Sequence, residues 1–196
     1  MRTRTIGLAG AVLVVAAAFA TKLAGVVVAP PQVVAFERVE LHARRGVFLV
    51  DGTPFTGVAV REVPGGGLAE EASFYEGKRD GARRQYYPNG QLSQESLYVH
   101  GRLEGLSRTW FATGVQRSEA MWVDGVTHGV QRQWYASGEL FKEMHLVDGR
   151  EEGMQRAWRE NGAVYNNYEA RGGRIYGLRR SKLCFDLDEE EVVGDP

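Results

Sequence analysis

The chain has little of what cross-linked or catalytic domains need. It holds one cysteine, Cys184, and six prolines in 196 residues. A lone cysteine cannot build an internal disulfide framework or a multi-cysteine zinc site. So few prolines exclude collagen and proline-rich disorder. Neither charge sign is in excess: 24 Lys and Arg face 25 Asp and Glu, a formal net charge of -1. That argues against a nucleic-acid binder working through bulk positive charge. His42, His100, His128 and His145 form no H-E-x-x-H pattern, so no metal or other cofactor is expected. G-x-S-x-G, P-loop and dinucleotide fingerprints are missing as well. The body shows no 3.6-residue apolar rhythm, so almost no helix is expected there.

What is present in excess is glycine: 25 of 196 residues, about 13% against a usual share of roughly 7%. Sixteen of them fall on a fixed period of 24. Gly57, Gly81, Gly105, Gly129, Gly153 and Gly177 form one column. Gly77 to Gly173 form a second and Gly66 to Gly162 a third, both at the same spacing. Other residues keep the beat. Tyr86, Trp110, Trp134 and Trp158 are an aromatic column, and Arg84, Arg108, Arg132, Arg156 and Arg180 a basic one. Glu71, Glu95, Glu119 and Glu143 are an acidic column, and Phe74, Tyr98, Trp122 and Leu146 an apolar one.

Each unit reads as a β-hairpin. Extended runs such as Leu106–Phe111 and Leu140–Leu146 flank turn signals such as Pro88-Asn89-Gly90 and Ala136-Ser137-Gly138. A single hairpin is marginal in water, but stacked hairpins bury a shared face. The expected fold is all-β: an elongated stack of about five 24-residue hairpins, each adding roughly 10 Å at two strands per unit. Residues 30–56 are expected to supply a linker and an amino-terminal capping hairpin around Val47–Val50. The repeat domain is expected over 57–185, closed by a strand at Leu183, Phe185 and Leu187. Residues 186–196 hold six acids and no base, the composition of a solvated tail.

Residues 1–29 read as an address. Arg2 and Arg4 precede an apolar run, Ile6–Ala20, that ends in the A-x-A form Ala18-Phe19-Ala20. The apolar character continues past Lys22 to Ala29, long enough for a membrane anchor of about 20 residues. Signal peptide and anchor both stay open, and both place the body outside the cytoplasm. With Arg2, Arg4, Lys22 and the acidic tail set aside, the body carries about +2.

Residues two apart on a strand share a face. Arg84 therefore lies beside Tyr86, Arg108 beside Trp110, Arg132 beside Trp134 and Arg156 beside Trp158. Val130 and Met154 fall on the same face, which makes it the expected buried one. A guanidinium beside an aromatic ring can stack on it for about 0.5–2 kcal/mol. The column then either staples the repeats internally or presents cations to acidic headgroups or an acidic partner. A buried Trp134 would cost about 3–5 kcal/mol on truncation to alanine. The glutamates are expected to pair with nearby bases. Cys184 is expected to point away from the sheet interior, either inert or able to make an intermolecular disulfide or bind a metal.

The repeat resembles the MORN family, and more closely its bacterial variant, often grouped as YwqK-family antitoxins of toxin–antitoxin systems. The residues that carry the resemblance are Tyr86-Tyr87-Pro88-Asn89-Gly90-Gln91-Leu92, Trp134-Tyr135-Ala136-Ser137-Gly138-Glu139-Leu140 and Trp158-Arg159-Glu160-Asn161-Gly162. Glycine pairs such as Gly101/Gly105 and Gly125/Gly129 follow them. The resemblance implies stacked hairpins, a protein partner and no catalysis. The expected function is an exported or membrane-anchored, non-enzymatic scaffold that binds a protein. The alternative is an envelope element contacting anionic lipid or polysaccharide through the Arg and aromatic columns. Neither reading includes nucleic acid.

Overall fold

A computed structural model describes residues 31–178. The proposed address at 1–29, Arg180, Cys184, the closing strand and the acidic tail lie outside the described residues. What is described is all-β apart from one 3-10 turn, Phe36–Arg38.

Four short strands open the chain: β1 (Val33–Ala35), β2 (Glu40–His42), β3 (Val47–Val50) and β4 (Thr53–Pro54). The hairpins follow in pairs: β5 (Gly57–Glu62) with β6 (Leu68–Tyr75), then β7 (Lys78–Tyr86) with β8 (Leu92–Val99). From here each pair is preceded by a two-residue strand. These are β9 (Arg102–Leu103) before β10 (Gly105–Trp110) and β11 (Gln116–Val123), and β12 (Val126–Thr127) before β13 (Gly129–Trp134) and β14 (Leu140–Val147). Then come β15 (Arg150–Glu151), β16 (Gly153–Trp158), β17 (Val164–Arg171) and β18 (Arg174–Leu178). Fifteen strands share one sheet, with the hairpin strands side by side in chain order, while β2, β3 and β4 form a second, small sheet.

Two turn types alternate along the stack. At the hairpin tips, Gly114 adopts φ +88°, and its N–H donates to Phe111 O at 2.9 Å. Between hairpins, two consecutive residues take positive φ, as at His100-Gly101 (+50°, +88°) and Asp124-Gly125 (+52°, +82°). That pair of dihedrals suits a tight antiparallel connection, and glycine adopts its half without a Cβ penalty. Each such turn is also tied to the preceding hairpin. Gly101 N donates to Arg79 O at 2.7 Å, and Gly125 N to Leu103 O at 2.8 Å.

The amino-terminal cap is more elaborate than a hairpin. β1 pairs in parallel with β5, an addition that no turn signal announces because parallel partners need no local turn. The cap closes over Val34, Val50, Phe55, Ala59, Ala72 and Phe74, a core also contacted by Phe36, Val39 and Phe48. Edge-to-face rings centre it on Phe74, 5.1 Å from Phe48 and 6.3 Å from Phe36. A repeat that lacks a neighbour on one side needs such a cover for its apolar face.

The face expected to be buried is the more open one. The residues buried along the repeats are Ala59, Glu70, Ala72, Phe74, Ser96, Gln131, Gln155, Ala157, Tyr168 and Ala170. All lie one position out of phase with Arg84, Arg108, Arg132 and Arg156, and so on the opposite face. The reason is backbone shape. Hydrogen bonding between neighbouring hairpins lapses near the first glycine column: β8 pairs with β9 through Leu103 and with β10 only at Arg108 and Thr109. Ser107, Gln131 and Gln155 on the inner face there bond the backbone that the ladder leaves unpaired.

Candidate interaction surface

The outer face carries one unbroken cross-strand row. Its Cα partners run Glu71, Arg84, Glu95, Arg108, Glu119, Arg132, Glu143 and Arg156, one residue per strand from β6 to β16. Opposite charges directly across a strand pair attract. Arg84 bridges both neighbours, with Nη1 3.0 Å from Glu71 and Nε 2.7 Å from Glu95. Arg132 does the same between Glu143 (2.9 Å) and Glu119 (3.8 Å). Arg108 reaches Glu119 at 3.2 Å. The side chains of these three arginines are 40% exposed, so the row is solvated along its length.

This corrects the expectation of guanidinium–indole stacking within the columns. The column arginines turn to carboxylates. The cation–π contacts belong to other arginines, such as Arg61 over Phe36 (4.8 Å) and Arg117 over Phe111 (5.7 Å). A β-bulge explains the divergence. The register shifts just before each aromatic: Gln85/Tyr86, Thr109/Trp110, Gln133/Trp134 and Ala157/Trp158. A bulge re-aims the side chain that follows it. Tyr86, Trp110, Trp134 and Trp158 sit half-buried at these bulges. Trp134→Ala is therefore expected to cost less than the roughly 3–5 kcal/mol of a fully buried aromatic. Arg156 keeps its place in the row opposite Glu143 and Asn167. Among the described residues it makes no ion pair of 4 Å or less.

Tyr86 is the one column aromatic that joins the row, donating from Oη to Glu71 Oε1 at 3.3 Å. Burial, followed by the negative charge of Glu71, raises its phenol above the ordinary value. The folded state thus holds that proton more tightly than the unfolded chain. The resulting stability is complete below about pH 10, the unfolded phenol's value, and is lost as pH rises through the folded one. Tyr86→Phe is expected to remove one late-titrating phenol from an ultraviolet titration and to flatten the alkaline fall in melting temperature. An unchanged phenol count above the ordinary range would contradict the assignment.

Three further columns carry the geometry, and none is evident from residue type alone. Thr56, Asp80, Glu104 and Glu152 each accept the backbone N–H twenty residues on, as in Glu104 Oε2 from Asp124 N at 2.8 Å. Ser107, Gln131 and Gln155 bond carbonyls of the preceding strand where the ladder lapses. Tyr75, Val99, Val123 and Val147 form an exposed apolar column on the outer face, with Leu97 and Met121 beside it. Their common signal is the spacing of 24.

The MORN repeat variant family matches residues 79–100 and 127–148. These two segments are MORN repeats. They lie two periods apart, and the first spans nearly the whole β7–β8 hairpin. No curated protein matches the chain. Among the described residues, no three His, Asp or Glu side chains gather as a metal site requires. No helix among them is long and apolar enough to cross a membrane.

Proposed function

We propose that this chain is a non-catalytic MORN-type repeat scaffold that binds a protein on the outer face of its sheet, outside the cytoplasm. The observation that carries this reading is the exposed apolar column Tyr75, Val99, Val123 and Val147, between 42% and 53% exposed, lying along a regular, solvated charge row. Lys78, Arg102 and Arg150 pair beside it, and exposed apolar side chains set among charged ones suit a protein-binding surface. The YwqK resemblance makes a protein toxin one such partner. The segment at 1–29 restricts the encounter to the far side of the cytoplasmic membrane.

The envelope reading needs free cations for anionic lipid. The ladder disfavours it, because Arg84, Arg108 and Arg132 already hold carboxylates. The two readings separate in two assays on the full chain. Affinity capture is expected to retain a discrete protein, lost in Val99→Asp/Val123→Asp. Flotation with anionic vesicles is expected to match vesicles of neutral lipid at every salt concentration. Salt-sensitive flotation, with no protein lost on the double substitution, would install the lipid reading instead.

A further inference from the structure

The outer face has a charge pattern that is its own complement. The ladder begins with an acid, Glu71 on β6, and ends with a base, Arg156 on β16, alternating on eight neighbouring strands. Reversing its order exchanges every acid for a base. Uncharged residues flank it: Val60 pairs with Glu71, and Asn167 with Arg156. Two residues further from the hairpin tips, the same face is apolar at its centre. Leu97, Leu106, Met121 and Val130 stand there on the four middle strands, β8, β10, β11 and β13.

We infer that a second copy of this chain docks on this face, related to the first by a two-fold axis parallel to the strands and passing between β10 and β11. In this arrangement Glu71 meets Arg156 of the second copy, Arg84 meets Glu143, Glu95 meets Arg132, and Arg108 meets Glu119. Beside the axis Leu106 meets Met121, and Leu97 meets Val130. Each contact occurs twice, as a two-fold interface requires. An axis perpendicular to the strands would instead set acid on acid and base on base, which like-charge repulsion opposes. The size also fits. Eight strands about 4.8 Å apart, with about six residues of about 3.3 Å along each, make a patch of roughly 34 by 20 Å. That is near the roughly 800 Å² per partner of a stable interface.

The inference rests on the protein-binding reading above and names the partner. Its test uses two differently tagged full-length copies expressed together, with capture through one tag and detection of the other. The wild-type pair is expected to be recovered together. Met121→Glu in both copies, or Leu106→Lys in both, is expected to abolish recovery, because each places two charges against apolar side chains. One copy with Met121→Glu and the other with Leu106→Lys is expected to restore it, since the new acid and base then face each other across the axis. Circular dichroism of each variant checks that the hairpins still form. Wild-type copies that do not co-purify, Met121→Glu pairs that still do, or a mixed pair that stays apart would each overturn the dimer. Capture of a different protein in the same Met121-sensitive way would overturn it while leaving the protein-binding reading intact.

Discussion

Gln155→Ala is expected to destabilise the carboxyl-terminal repeats more than any change on the outer face. The side chain is 1% exposed and acts as a substitute strand. Its Nε2 donates to His145 O at 2.8 Å, and its Oε1 accepts from His145 N at 3.2 Å. The His145 N–H needs it because the β14–β16 ladder pairs only Lys142 with Ala157 and Glu143 with Arg156. Removing the amide leaves the His145 N–H without its partner, at roughly 1–3 kcal/mol, while His145 O keeps the Glu152 N–H at 3.0 Å. A cavity adds to that. Urea unfolding measures the total, and hydrogen exchange at the His145 amide locates it. Gln155→Met separates the contributions, since it fills the space without hydrogen bonds. Methionine restoring wild-type stability would mean that packing, not pairing, is what the residue supplies.

Phe74→Ala is the second large effect, expected at about 3–5 kcal/mol. The ring is 3% exposed and stands among Phe36, Phe48 and Phe55, the last at 5.5 Å. Its loss should loosen the cap first. Limited proteolysis is expected to cut within 40–54 before it reaches the hairpins from β7 onward. Phe74→Leu keeps much of the volume and is expected to cost less than about 1.5 kcal/mol. Uniform cleavage along the chain in Phe74→Ala would show instead that cap and repeats unfold as one unit.

These two residues mark where reading the chain succeeds and where it does not. Phe74 stands in a visible apolar column, yet tryptophans at the bulges look like stronger candidates for the core. Size suggests burial, but burial depends on which face the backbone closes, and alternation leaves the two faces equivalent until their surroundings are known. The arginine and glutamate columns are legible as columns. Their union into one row is not, because it requires the register between strands as well as the spacing along them. Glu95 and Arg108 face each other across separate hairpins, a relation fixed by how far each connecting turn displaces the next strand.

The sequence by itself determines the repeat: its length, its hairpins, its turns and the all-β class. Those follow from local chemistry, since glycine at a fixed interval licenses positive φ and alternation licenses strands. The tertiary structure decides what the repeat presents. Strand pairing lapses beside the first glycine column, and Gln131 and Gln155 are buried on the inner face. The charge ladder and the apolar column are left on the outer face because the register sets them one position out of phase with the buried residues, and the ladder neutralises itself in water.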